Sequence, residues 1–400
     1  MTKDLAFRSK TAGIGGTIKS CPEDFIVEEI GQDGTVFGIG ERIERTDEKG
    51  RFVHFVLQKR NWTTVLATKE AARRLHSSPK RISFAGSKDK CAITTQLMSA
   101  EGVDKTAVLN LDIKDMRING AWNAKDRVRL GGLAGNRFTI KVNGAQDDAE
   151  ETVERICYEL EKGFPNYFGE QRFGTTANNT HAIGESLVRG NLEEGAMAFL
   201  CGRGMETNAE ARLAREELLS SRDFASALKT FPKHLRLERA MLSYLAERPD
   251  DFTGAFRALP RQTLLLFVHA FQSHIFNRLL SERIRENGVE MEEGEYLCDA
   301  DSLGFPDTAK MDVDGWLCMK IIGYNSNPNE RERELLGSLD ISKEDFRVKS
   351  IPEVGSKGTF RTAFAPLLKF SFDKDTFRFS LQSGSYATSA LREFIEVDKT

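Results

Sequence analysis

The chain has 400 residues, more than one typical hydrophobic core accommodates, so two domains are expected. Its 57 Lys and Arg against 60 Asp and Glu leave a net charge of -3, which excludes a uniformly basic nucleic-acid binder and leaves room only for local basic patches. No leader pattern opens the chain, no apolar run approaches the roughly 20 residues of a membrane span, and the 6 cysteines form no CxxC pair. A reduced, cytoplasmic protein with no membrane association is expected. No HExxH occurs, and His269 and His274 lie five apart rather than at the i,i+4 spacing of a helical metal pair, so no metal site is expected.

Strand and helix signals alternate through the first 170 residues. Phe52 to Leu57 (FVHFVL) predicts a short buried strand, and Trp62 to His76 a helix. Leu133 to Val142 predicts a half-buried strand, with Phe138, Ile140 and Val142 on one face and Arg137, Thr139 and Lys141 on the other. Asp147 to Lys162 predicts a helix that begins acidic, keeps Val153, Ile156, Cys157 and Leu160 on one side, and stops at Gly163 and Pro165. From about 180 to 290 helical patterns dominate. The longest runs from Arg261 to Asn287, ahead of Gly288, and is apolar on so many sides that it should be buried for most of its length. An acidic, irregular stretch follows (ENGVEMEEGEYLCDADSLGF). Phe377, Phe379 and Leu381 then alternate with polar residues, and a last helix carries LREF. Strands at both ends of a helical middle imply one body interrupted by another.

Four segments carry candidate chemistry. In RISFAGSKDKCAITTQ, Asp89 follows a glycine turn and sits between Lys88 and Lys90, whose charges should favour its ionised form. An ionised carboxylate can attack an electron-poor sugar carbon; a solvated charge cluster reads the same way, and no second carboxylate of glycosidase type lies nearby. FPNYFGEQRFG offers aromatics, an amide and Arg172, suited to stacking on an unpaired base with a phosphate contact, or to an aromatic hinge. AFQSHIFNRLLSER punctuates an apolar helix with Gln272, Ser273, Asn277 and Arg283, which must be hydrogen-bonded if buried. LQSGSYATSALREF leads from a turn into a helix. Basic residues gather at Lys80, Arg81, Lys88 and Lys90 and again at Lys125, Arg127, Arg129 and Arg137, enough to hold RNA locally. Phosphate-loop, dinucleotide and serine-hydrolase motifs are missing from the sequence.

GSKDKCAITTQ, NYFGEQRFG, AFQSHIFNRLLSER and SGSYATSALREF, in this order and spacing, resemble the TruD family of tRNA pseudouridine synthases, as do CPEDFIVEEI and GNRFTI. The resemblance runs from about Lys19 to Phe394. It implies isomerisation of uridine to pseudouridine in RNA without metal, nucleotide or redox cofactor, most often at uridine 13 in the D-arm of tRNA. The nucleophilic aspartate falls on Asp89. Lys19, Phe25, Asn136 and Phe138 match residues expected to face the uridine, with Lys88 and Arg172 as further substrate-binding residues. The glycine is expected to let the backbone turn Asp89 into a cleft. The implied fold is α+β: a pseudouridine synthase catalytic domain with a mixed, mostly antiparallel sheet and flanking helices (1–170 plus 367–400). A largely α-helical TRUD insertion domain (171–366) interrupts it, with the RNA track expected between the two. tRNA is the expected partner, with no obligatory protein partner. The alternatives are a non-catalytic RNA-binding protein or RNA chaperone on the same scaffold, and a carboxylate glycosidase.

Overall fold

The computed structural model describes residues 4–174, 178–202, 206, 208–286, 291–292, 294–312 and 314–399. The chain divides into two units. A sheet unit comprises Arg8–Asn166, Ala300–Asp307 and Phe364–Thr400; a helical unit comprises Met1–Phe7, Tyr167–Asp299 and Thr308–Ala363. The expected divisions at 170/171 and 366/367 compare with 166/167 and 363/364 here. Nothing in the hydrophobic pattern signals the assignment of the first seven residues to the helical unit, or of Ala300–Asp307 to the sheet unit.

The sheet unit is built on a nine-stranded sheet. Its path runs Leu368–Asp373, Thr376–Gln382, Gly135–Asn143, Phe25–Ile30, Ile93–Glu101, Phe52–Arg60 and Met116–Ala124, with Thr17–Ile18 and Ile82–Phe84 paired off it. The ladder between Phe25–Ile30 and Ile93–Glu101 is parallel and the others are antiparallel, so the sheet is mixed and the class α+β.

Register explains the core. Directly paired residues share a face, which gives three rows: Phe25–Ile140–Phe377, Val27–Phe138–Phe379 and Glu29–Asn136–Leu381. The first two rows are wholly apolar. They are covered by Val153, Ile156 and Leu160, from the helix Ala149–Glu159 and its cap, and by Ala390, Leu391 and Phe394 of the helix Ala387–Ile395. The third row introduces Glu29 and Asn136, and the apolar surface ends there. The helix Thr64–Arg74 covers a second cluster with Ala67, Ala71 and Ala72 against Phe55, Leu57 and Met98. Small residues on this helix let its backbone approach the sheet closely.

In the helical unit the helix Arg261–Arg285 buries most of its surface, as its apolar pattern predicts. The expected end at Asn287 and Gly288 lies outside the described residues. Its polar residues are partnered within the unit. Asn277 accepts from the Phe168 N–H at 2.8 Å and donates to the Phe168 carbonyl at 2.9 Å, and Gln272 donates to Ile322 O at 2.6 Å. Arg283, fully buried, donates to Glu295 at 2.9 and 3.0 Å. A four-stranded sheet (Pro306–Asp312, Tyr296–Ala300, Trp316–Ile321, Thr359–Thr362) accompanies the helices. Its Tyr296–Ala300 strand falls in the stretch read as irregular, where neighbouring charges mask a five-residue alternation.

Phe377 has no exposed surface and packs on Phe372 and Phe394. Phe377→Ala is expected to cost about 3–5 kcal/mol in urea unfolding of the sheet unit, and a loss under about 1 kcal/mol would contradict this packing.

Candidate active site

Asp89 lies in the loop between the strands Ile82–Phe84 and Ile93–Glu101. Its carboxylate Oδ2 is 2.6 Å from the ammonium of Lys19. Both side chains are about three-quarters buried, with 25% and 23% exposed, so the pair is screened less than a surface ion pair. Lys19 follows the short strand Thr17–Ile18 with φ of 61°, a left-handed backbone that a residue with a Cβ rarely adopts. That turn carries its ammonium over the Phe25 ring, 4.0 Å from the centroid. The cation is thereby shared between a carboxylate and an aromatic face. Phe25 meets Phe138 edge-on at 6.2 Å, and Phe138 stacks on Phe379 at 5.5 Å. Asp89, Lys19, Phe25 and Phe138 thus form one continuous set of contacts.

The two flanking lysines lie in different settings. Lys88 places its ammonium 2.6 Å from Glu29 Oε2, in a buried ion pair. Lys90 is exposed. A cation that does contact the Asp89 carboxylate is Lys19, 70 residues away in sequence. Lys88 pairs internally because Glu29, on the core face of its strand, would otherwise be a buried unpaired charge; its other oxygen accepts the Leu97 N–H at 3.0 Å. The expected role of the glycine is also corrected. Gly86 has no left-handed φ, and a methyl group there would meet only ordinary neighbours at 3.7–3.9 Å.

The loop is held by buried bonds instead. The Lys88 N–H donates to Thr64 Oγ1 at 2.9 Å, Thr64 donates to Gln96 Oε1 at 2.9 Å, and Gln96 donates to Gly86 O at 3.1 Å. Lys59, fully buried, donates to the carbonyls of Asp89 at 3.1 Å and Trp62 at 2.6 Å. Burial, assisted by the nearby Lys88 charge and opposed by Asp89, lowers the Lys59 ammonium to a pKa of about 8. Cys91 Sγ lies 3.7 Å from the Lys19 carbonyl and ties the loop to the partner of its carboxylate.

Asn136 stands on the same face as Phe138, opposite Glu29. Its Oδ1 is buried and accepts no hydrogen bond among the described residues. An acceptor left this way is costly unless something supplies a donor. Arg172 belongs to the helical unit, where it donates to Ser273 Oγ at 3.2 Å and lies over the Phe168 ring at 5.7 Å. Two of the eight residues in the expected basic patches are neutralised internally. Lys88 pairs with Glu29, and Arg137 donates to Glu28 at 2.6 Å. Lys80, Arg81, Lys90, Lys125, Arg127 and Arg129 are exposed.

The family model for tRNA pseudouridine synthase D (TruD) matches residues 4–394. The chain belongs to the TruD family. A relative from Methanosarcina acetivorans, named "Probable tRNA pseudouridine synthase D", is 35% identical over 98% of this chain and 95% of its own length. Another from Methanocaldococcus jannaschii, "Probable tRNA pseudouridine synthase D 1", is 37% identical over 96% of both. A crystal structure of a TruD protein from Methanosarcina mazei superposes with a TM-score of 0.76 at 32% identity, covering 100% of this chain and 98% of that one.

Sequence reasoning missed the residues that hold the TruD loop. Glu29, Thr64 and Gln96 are ordinary strand or helix residues in pattern, and their bonds span 10 to 59 positions. For Lys59 a signal existed: it interrupts an otherwise strand-like FVHFVLQKR, and its position in the alternation points it inward.

A test follows from Lys59. Its folded pKa lies below that of an ordinary lysine, so between about pH 8 and 10.5 the unfolded chain holds a proton that the folded one has released. That protonation difference makes wild-type stability rise with pH through this window. It is worth on the order of 3 kcal/mol when complete. The melting temperature of Lys59→Met relative to wild type is therefore expected to rise as pH falls from 10 to 7; a pH-independent difference would contradict the buried ammonium.

Proposed function

We propose that this chain isomerises uridine to pseudouridine in tRNA, with Asp89 as the nucleophile and uridine 13 of the D-arm as the target. The observation that carries the reading is the Asp89 carboxylate fixed 2.6 Å from Lys19 beside Phe25 and Phe138, within the GSKDK segment. In the reaction the N1–C1′ bond breaks, the uracil turns, C5 bonds to C1′, the C5 proton leaves and N1 gains a proton. Asp89 serves either by adding to the pyrimidine ring or by assisting glycosidic cleavage to a glycal. In both routes the uridine must first leave its stack, since neither C1′ nor C6 is reachable within a helix.

The surrounding residues then have defined tasks. Lys19 orients Asp89 and balances its charge. Phe25 and Phe138 supply an apolar floor that excludes water from the ribose. Asn136 Oδ1, lacking a donor, accepts the N3–H of the extruded uracil. Lys88 acts on the loop through Glu29 rather than on substrate. Exposed Lys80, Arg81, Lys90, Lys125, Arg127 and Arg129 take phosphates, and Arg172 is an RNA contact of the helical unit in its own right. On this reading the sheet unit is the catalytic domain and the helical unit the TruD-specific insertion. The enzyme works in the cytoplasm without cofactor or obligatory protein partner; among the described residues no helix is long and apolar enough to cross a membrane.

Tritium release from C5-labelled uridine in unmodified tRNA transcripts, followed by mapping of the modified position, tests the reading. Wild type should release label at one uridine. Asp89→Asn should release none while binding tRNA within a few fold, and Lys19→Met should slow release by about 10²-fold with smaller effect on affinity. An Asp89→Asn protein that matches wild type in every effect on RNA would favour a binding-only role.

A further inference from the structure

The segment between the strands Met116–Ala124 and Gly135–Asn143 makes a turn whose tip is apolar. The Gly132 N–H donates to Arg129 O at 2.9 Å, and Gly131 has φ of 82°, so residues 129–132 form a type II turn with Leu130 at its first central position. A glycine is required at the second. Leu130 is 80% exposed, and Lys125, Arg127 and Arg129 beside it are exposed too.

This turn is rigidly mounted. Val128 and Leu133 are buried with Ala85, the Val128 N–H donates to Ser99 Oγ at 2.9 Å, and Asp126 O lies 2.7 Å from His54 Nε2. The Gly131 N–H donates to Ala85 O at 2.7 Å, which fastens the turn to the loop that carries Asp89 four residues later. A single exposed leucine on a protein surface needs no explanation. A leucine at the tip of a pinned turn does, when three exposed cations and one carboxylate, Asp126, stand within five positions before it and the next residue is bonded to the Asp89 loop.

We propose that Leu130 is a wedge: it enters the RNA base stack beside the target and fills the space that the extruded uridine leaves. The proposal rests on the uridine-isomerase reading above. Extrusion costs stacking on both neighbours of the target, and an apolar side chain inserted between bases offsets that cost, as in proteins that kink nucleic acids. Arg127 and Arg129 take the flanking phosphates and set the depth of entry. Tyr158, equally exposed on the helix Ala149–Glu159, has no such setting and serves as the control.

The test compares single-turnover pseudouridine formation in two RNAs, a folded tRNA transcript and a short unstructured oligonucleotide with the same target sequence. Leu130→Ala should slow the folded RNA by about tenfold or more and leave the unstructured one within about twofold, because there the base is already unstacked. Tyr158→Ala should change neither. Equal rates for wild type and Leu130→Ala on both RNAs would overturn the proposal, and so would an equal loss on both, which would mark Leu130 as a support of the site. Absence of product from wild type on the folded tRNA would instead defeat the underlying functional reading. Leu130 is exposed, so the variant should fold; an unchanged melting temperature confirms it.

Discussion

Everything at the candidate site depends on one ion pair, Lys19 with Asp89, formed between segments 70 residues apart. Each partner is also held from its own side. Lys19 needs a left-handed backbone to reach the carboxylate, and the Asp89 loop needs a lysine buried behind it to hold its carbonyl. Two strained or buried features are retained so that one carboxylate stands in a defined position. Such conformations persist only where the surrounding fold over-determines them.

The sheet explains how the fold achieves this. Its one parallel ladder sets Phe25–Ile30 beside the strand that follows the Asp89 loop, and its antiparallel neighbour supplies Phe138 and Asn136 in register with Val27 and Glu29. Two rows of apolar residues form the core, and the third turns polar where the loop crosses. Glu29 is then buried with Lys88, an arrangement that contributes definition of geometry more than stability. The same face therefore serves as core at one end and as site at the other.

Much of this was legible in the sequence, for identifiable reasons. Alternation on Gly135–Asn143 put Phe138, Ile140 and Val142 inward, and all three are buried. The helices at Ala149–Glu159 and Arg261–Arg285 follow from amphipathic or wholly apolar periodicity. The quoted motifs led to the TruD family. What the sequence hid was pairing across distance. Local charge suggested that Lys88 and Lys90 hold Asp89, because adjacency is visible in a string and a contact with Lys19 is not. Gly86 suggested a special backbone, yet the unusual φ belongs to Lys19. Lys59 lies two residues past the strand read from Phe52 to Leu57, and its burial shows only in the fold.

The most direct measurement is a structure of the protein bound to RNA carrying 5-fluorouridine at the target position. The account predicts the nucleotide out of its stack, with C1′ or C6 about 3–3.5 Å from an Asp89 carboxylate oxygen and the ring beside Phe138. A uridine still stacked in its helix, or a ribose lying against a different carboxylate, would contradict it.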